Sequence, residues 1–397
     1  MRILQLHNHH AGPGGAMEVL AHEAQLLTAA GHAVRQYTLA ATEQLGLGPV
    51  RAGLKAVWNV EACRDVEDAI RAFRPDVVHV HTPFPLMSPA VFRTASKLGV
   101  PTVATLHSYR YSCIAATCYR DGHICEDCVG QRLKLPGVRH RCYHDSVGAS
   151  AALTLGLVVH RELGTLHRAV DRFLALTDFS RELLIRDGIP ADKVVVKHNS
   201  VPDPGVDAGD RPDERFVFFA GRLLDVKGVH TLLEAWQRSA HGDVRLRIAG
   251  DGPLRRQVED LARADRSVSY HGWVDEEEVF DLMRGAEAVI VPSEWYEGGG
   301  PLTTLRSLAV GTPVVISDLE NIGDYVLADD SGVTFPTGDP DALASVLTGL
   351  AADPGAWHRH RTAARASYEK RYSPQVDLPR LEAVYTGVVD GASASRA

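Results

Sequence analysis

Arg2-Ile3-Leu4-Gln5-Leu6-His7 is a short apolar run that reads as a buried strand. Gly12-Pro13-Gly14-Gly15 follows. Then Val19, Leu20, Ala24, Leu26 and Leu27 recur at helical spacing, and Gly31 supplies a stop. Strand, glycine loop, helix is the opening of a doubly wound α/β domain. The unit recurs: Asp76 to His81 predicts a strand, Pro89 to Leu98 a helix and Thr102 to Leu106 a strand. Further strands are expected near Arg172 to Leu176 and Lys193 to Lys197. Pro202, Pro204, Gly205, Gly209 and Pro212 then cluster among aspartates and read as a linker. Beyond it the rhythm restarts, with strands Arg215 to Ala220, Val244 to Ala249, Ala288 to Val291 and Pro313 to Ile316. The expected architecture is α/β: two doubly wound, Rossmann-like domains facing each other across a cleft. Ligands of such sheets bind beyond the carboxyl ends of the strands. The small, polar tail Gly391 to Ala397 is expected to fray.

Composition narrows the function. At 397 residues the chain is long enough for two or three domains of about 150 residues each. Hydrophobic residues make up 45% and charged residues 23%, the balance of a globular chain rather than a disordered or fibrous one. A formal net charge of -8 argues against nucleic acid as a partner. The longest uncharged apolar stretch, Ser146 to Val159, is too short for a bilayer, which needs about 20 residues. Met1-Arg2 leads straight into the first strand without an apolar leader, so a cytoplasmic location is expected, with cysteines mostly reduced. Abundant alanine, and arginine in excess of lysine, point to a GC-rich bacterial source.

Several loops at strand ends carry chemistry. Gly14 and Gly15 offer backbone amides to a phosphate or sugar, but no third glycine completes a dinucleotide fingerprint, which disfavours a dehydrogenase. Gly221-Arg222-Leu223-Leu224-Asp225-Val226-Lys227-Gly228 follows a strand and opens a helix. Two cations at a helix mouth suit a diphosphate. Gly250-Asp251-Gly252-Pro253 and His271-Gly272-Trp273 end two further strands, where a planar base could lie. The most informative segment runs from Pro292 to Pro313. There Glu297 precedes Gly298-Gly299-Gly300, then Pro301, Leu302, Thr303 and Thr304 begin a helix. Glu297 can accept hydrogen bonds from sugar hydroxyls, and the free amides of the first turn, with both threonines, can meet a phosphate. Three successive glycines cost chain entropy unless that backbone is needed. Asp339-Pro340-Asp341 opens a helix and reads as a cap rather than a metal motif.

Taken together these motifs resemble glycosyltransferase family 4, with the GT-B fold. The carriers are Gly14-Gly15, His107, Gly221-Arg222 with Lys227-Gly228, Gly250 to Pro253, and Pro292 to Pro313. The resemblance covers nearly the whole chain. It implies retaining, metal-independent transfer of a hexosyl or deoxysugar group from a nucleotide diphosphate sugar. It assigns residues 1–200, with a cysteine-rich insert at about 108–145, to the acceptor, and 201–375 to the donor. A helix within 376–397 crosses back to the first domain. His107, Glu297, Arg222 and Lys227 are the implied catalytic group. Arg222 and Lys227 would offset charge growing on the departing diphosphate.

One position departs from the pattern. Family 4 enzymes carry two glutamates separated by seven residues, and the second, a ribose acceptor, aligns here with Arg306 once the triple glycine adds one residue between them. Arginine has donors and no acceptor lone pair. Either Arg306 contacts a phosphate or an acidic neighbour, or the enzyme prefers a donor with fewer hydroxyls, such as a deoxythymidine diphosphate sugar. The departure keeps a non-catalytic scaffold in view, alongside another GT-B enzyme such as an epimerase or phosphorylase. Cys113, Cys125, Cys128 and Cys142 have the number and spacing of a structural zinc site, with reduced thiols as the rival. Arg132, Lys134, Arg139 and Arg141 suit an anionic acceptor or a lipid surface. The acceptor itself, whether small molecule, glycan or lipid-linked chain, is not legible.

Overall fold

Two six-stranded sheets carry the chain, and every strand pairing within them is parallel. The computed structural model describes residues 1–9, 14–205 and 214–394. Gly12 and Pro13 of the glycine loop, Gly209 and Pro212 of the linker, and the last three residues lie outside the described residues. The chain divides into two compact units, Met1–Asn199 with Asp377–Ala397, and Ser200–Val376.

The first unit contains β1 (Arg2–Asn8), β2 (Ala33–Leu39), β3 (Val77–Thr82), β4 (Thr102–Leu106), a hairpin β5 (Tyr119–Arg120) and β6 (His123–Ile124), then β7 (Arg172–Ala175) and β8 (Val194–Val196). Its sheet runs β2-β1-β3-β4-β7-β8. Side chains alternate between faces. Leu4, Leu6, Val78, Val80 and Ala104 enter one core with Phe92 and Phe173. Ile3, Val77, Val103 and Leu174 enter the other, against Leu27 and against Leu381, Tyr385 and Val388 of the closing helix Pro374–Ala394. Followed along the strands, this second face changes character. Ile3, Val77 and Val103 give way to Gln5 and His7, to His79 and His81, and to Thr105. Gln5, His7, His79 and His81 are at most 1% exposed and Thr105 5%.

The second unit contains β9 (Phe216–Ala220), β10 (Arg245–Ala249), β11 (Val268–Gly272), β12 (Val289–Val291), β13 (Val314–Ser317) and β14 (Gly332–Phe335), ordered β11-β10-β9-β12-β13-β14. Its core joins Val217, Phe219, Leu246, Ile248 and Ile290 to Trp236 and Leu232 of the helix Val229–Arg238. The order reverses between β9 and β12, and in the first sheet between β1 and β3. Those reversals leave the crevices in which such sheets hold ligands.

Strand ends fall within a residue or two of expectation. The strands β2 and β14 were not foreseen. Both are edge strands: β2 has no buried side chain, and β14 buries Phe335 but leaves Val333 and Thr334 half-buried, so neither shows an apolar run. The tail is corrected: the closing helix continues through Gly391 to Ala394, where the Ser393 hydroxyl donates to the Val389 carbonyl at 3.0 Å. Asp339 caps its helix as read, its carboxylate accepting from the amides of Asp341 and Ala342.

Candidate active site

In the second unit three loops gather at the β9/β12 reversal because their backbones touch. Gly228 has φ +69°, and a Cβ there would stand 1.7 Å from the Pro292 carbonyl oxygen. Gly250 has φ +135°, and a Cβ there would stand 1.8 Å from the Gly221 oxygen. Only glycine allows both approaches. The Glu294 amide donates to the Val226 carbonyl at 2.9 Å, and the Leu223 amide to that of Asp251 at 2.9 Å.

The two expected cations part ways here. Lys227 closes a short turn, Asp225–Lys227, before the helix Val229–Arg238, and its Nζ lies 2.5 Å from Glu297 Oε1. The same oxygen accepts from the Ser293 hydroxyl at 2.7 Å, and the Glu297 carbonyl accepts from Asn321 Nδ2 at 2.7 Å. Burial opposes ionisation of Glu297, but Lys227 and the Ser293 hydroxyl outweigh it and hold the carboxyl below its ordinary range. Arg222 is exposed and has no side-chain partner among the described residues. The helix Leu302–Ala309 starts at Pro301 without a side-chain cap or an acidic residue in its first turn. Gly300 has φ +73° and packs under Tyr325, whose hydroxyl donates to the Gly299 carbonyl. Thr303 donates to the Ala220 carbonyl at 3.2 Å, so its hydroxyl is engaged with β9. Thr304 Oγ1 is buried and has no hydrogen-bond partner among the described residues.

Arg306 pairs with Glu276 at 2.9 Å, the acidic-neighbour alternative of its two expected fates. Gly252 lies in the gathered loops, its amide on Asp251 Oδ1 at 2.8 Å. His271, Gly272 and Trp273 sit at the end of β11, two strands from β9, with the Trp273 indole 76% exposed.

In the first unit Gly14 is the extended first residue before the helix Gly15–Ala29, again without a side-chain cap. His107 follows β4 directly. Its Nε2 lies 3.0 Å from His81 Nδ1, and the two rings stack with centroids 5.2 Å apart. Behind them stands a charged residue that the sequence reading passed over. Glu23 is 2% exposed, and its Oε1 receives Gln5 Nε2 at 3.0 Å, with His79 Nδ1 at 3.0 Å and His81 Nε2 at 3.2 Å. Lys197 Nζ lies 2.8 Å from Asp377 and 3.8 Å from Glu23 Oε2. The signal for Glu23 was its place on a helix face shared with Val19, Leu20 and Leu27, where a carboxylate needs a buried partner. Burial opposes the charge on Glu23, but the facing imidazoles hold its carboxyl well below the usual range. Burial pushes His79 down to about 4 and His107 well below its ordinary value, so both are neutral at pH 7.

The cysteine insert folds around the β5–β6 hairpin. Cys113, Cys125, Cys128 and Cys142 all line one small cavity, with Arg120 and Asp127 beside them. Among the described residues no three sulfurs lie within 4.8 Å of one another. The donors fit zinc in kind and number, while a tetrahedral ion with Zn–S bonds of about 2.3 Å requires them to close up. Of the basic run, Lys134 is corrected. It is 4% exposed and bound to Asp187 at 3.0 Å and to the carbonyls of Ser112 and Cys128, so it meets no outside ligand. Arg132 pairs with Glu162 at 2.7 Å.

Comparison with known proteins agrees with this layout. Residues 13–203 match the family model described as Glycosyltransferase Family 4, and residues 214–353 match Glycosyl transferases group 1. The chain belongs to glycosyltransferase family 4. This glycosyltransferase is 27% identical over 330 residues to a glycogen synthase of Mycobacterium tuberculosis, covering 81% of its own chain and 71% of the relative. It is likewise 27% identical to the 2-deoxystreptamine N-acetyl-D-glucosaminyltransferase of Streptomyces fradiae, over 79% of its own chain and 71% of that one. Its fold is GT-B. The sucrose-phosphate synthase of Thermosynechococcus elongatus superposes with a TM-score of 0.70 at 18% identity, over 98% and 100% of the two chains. Anabaena HepE, solved with UDP, superposes with 0.67 at 16% identity, over 97% and 100%. No helix among the glycosyltransferase's described residues is long and apolar enough to cross a membrane.

Proposed function

We propose that this glycosyltransferase moves a sugar, with retention of configuration, from a nucleotide diphosphate sugar to a hydroxyl acceptor. The Ser200–Val376 unit holds the donor and the other unit the acceptor. The observation that carries the reading is the Lys227–Glu297 pair at the β9/β12 reversal, with Arg222 exposed on the same loop as Lys227 and an uncapped helix start after Pro301. The bond that breaks joins the anomeric carbon to the diphosphate oxygen, and negative charge grows on the leaving group. Lys227 and Arg222 stabilise that charge, and the first-turn amides after Pro301 add their dipoles. These protein cations take the role a metal plays elsewhere, so the transfer is metal-independent. Glu297 holds Lys227 in place and accepts hydrogen bonds from the sugar, and His107 hydrogen-bonds the donor sugar or the acceptor. HepE bound to UDP and the two sugar-processing relatives support a nucleotide-sugar donor.

The test is a screen of uridine, guanosine and thymidine diphosphates by thermal shift, followed by turnover of the matching sugar nucleotides. A bound nucleotide raises the melting temperature by linkage. If none of them binds, the transferase reading fails and a non-catalytic GT-B scaffold takes its place.

We also propose that Cys113, Cys125, Cys128 and Cys142 close around one structural zinc, supported by their shared cavity. Protein purified without an affinity metal and saturated with zinc then holds about one equivalent. Less than about a tenth rejects the site.

A further inference from the structure

The polar end of the first sheet contains more than the reading of His107 uses. Glu23, His79 and His81 are all buried, and their ligand atoms lie within 4.8 Å of one another, close enough to hold a cation. The hydrogen bonds argue otherwise. Both His79 nitrogens already have hydroxyl partners, Nδ1 with Tyr385 at 2.7 Å and Nε2 with Thr105 at 2.7 Å. The Lys197 ammonium also stands 3.8 Å from Glu23. A dication there would displace Tyr385 and face an ammonium. What the cluster does provide is a line of atoms that leads outward: Glu23 Oε1, His81 Nε2 at 3.2 Å, His81 Nδ1, and His107 Nε2 at 3.0 Å.

We propose that Glu23, acting through His81, decides which nitrogen of His107 carries its proton. The inference rests on the reading of His107 as a residue that hydrogen-bonds the donor sugar or the acceptor. Glu23 is ionised and can only accept. His81 Nε2 is buried without an aligned hydrogen-bond partner. A bare lone pair there would face a carboxylate oxygen 3.2 Å away, so a ring proton of His81 sits on Nε2, and in this proposal it is the ring's only one. His81 Nδ1 is then an acceptor, and His107 Nε2 must bring the proton to it. That leaves His107 Nδ1 unprotonated, as an acceptor for a hydroxyl of the substrate. Glu23 touches no substrate in this scheme; it is a positioning residue, and Lys197 with Asp377 keeps its second oxygen in place.

Long-range proton–nitrogen correlation spectra of the full chain, labelled on histidine, read the tautomers directly. Assignment comes from spectra of His81→Gln and His107→Gln. In the wild type His107 is expected as the Nε2–H form. Glu23→Gln, which offers a donor as well as an acceptor, and Glu23→Leu are both expected to give a mixture at His107. Circular dichroism checks that they fold. Turnover of UDP-glucose is expected to fall about ten-fold in Glu23→Gln with the KM for UDP-glucose unchanged. The proposal is overturned by an Nδ1–H form of His107 or a cationic His81 in the wild type. An unchanged His107 tautomer in both variants, or one equivalent of metal lost on Glu23→Gln, also overturns it. A tautomer that shifts while turnover holds would sustain the role of Glu23 and defeat the site reading of His107.

Discussion

Glu23 and Glu297 are buried carboxylates near the carboxyl ends of two parallel sheets, and each is kept ionised by what faces it. They differ in closure. Glu297 takes an ammonium and a hydroxyl on one oxygen, with Trp295 also holding its charge, and Arg222 stands exposed on the loop that carries Lys227. Glu23 is enclosed by an amide, two imidazoles and a lysine that itself has a second carboxylate. At Glu297 the lysine can pass to an arriving anion with little rearrangement. A closed network has nothing to spare and serves to hold geometry. The same residue type therefore supports opposite roles, and the partners decide which.

The largest effect expected from this contrast is on stability. Lys197→Met removes an ammonium that stands beside both Glu23 and Asp377 and should cost about 3–5 kcal/mol of unfolding free energy. A loss under about 1 kcal/mol in urea titrations would mean that the network is not closed. Lys227→Ala tests the open pair. Turnover should fall about 100-fold, on the order of 2.7 kcal/mol of barrier. Near wild-type turnover would remove the diphosphate role.

The pH dependence separates the two regions further. His79 has a folded pKa of about 4 against an ordinary 6.5, so the unfolded chain takes up that proton first as pH falls. Stability present above the unfolded value is lost from about pH 6.5 down to about 4, roughly 2 kcal/mol between pH 7 and 5. The depressed carboxyls of Glu23 and Glu297 add losses from their ordinary 4.5 downward, at the foot of that window and below it. Urea midpoints that stay level between pH 7 and 5 would contradict a neutral, buried His79. Arg222→Ala should lower turnover about 10-fold and leave the melting temperature unchanged, because the side chain is exposed and has no side-chain partner among the described residues. Arg306→Glu is the finest probe. It breaks the pair with Glu276 and restores a ribose acceptor, so a wild-type preference for thymidine diphosphate should shrink a few-fold relative to uridine diphosphate. Equal affinities in both proteins would detach Arg306 from donor choice.

Much of this molecule was legible in its sequence because parallel strands buried on both faces leave continuous apolar runs, as in Val77-Val78 and Val314-Val315-Ile316. The glycine loops were legible for the same kind of reason: Gly228 and Gly250 stand where any side chain would strike backbone. Edge strands such as β2 left no such trace. The Glu23 cluster was illegible for a different reason. Its members come from β1, β3, the first helix, the end of β8 and the last helix, and only the folded sheet brings Glu23, Lys197 and Asp377 together. Lys134 misled in the opposite direction, since a lysine in a basic run gives no hint that Asp187 holds it inside.

The closing helix sets an order of events for the growing chain. Leu381, Tyr385 and Val388 complete a core begun by Ile3, and Asp377 completes the buried charges around Lys197. In connectivity, the Ser200–Val376 unit is an insertion into the first. A ribosome therefore releases the second unit whole while the first still lacks part of one face. Until the last residues emerge, Lys197 has no Asp377 and the strands Val77 and Val103 have one uncovered side. A nascent chain stopped before Asp377 should thus display a folded second unit beside a first unit that chaperones still recognise.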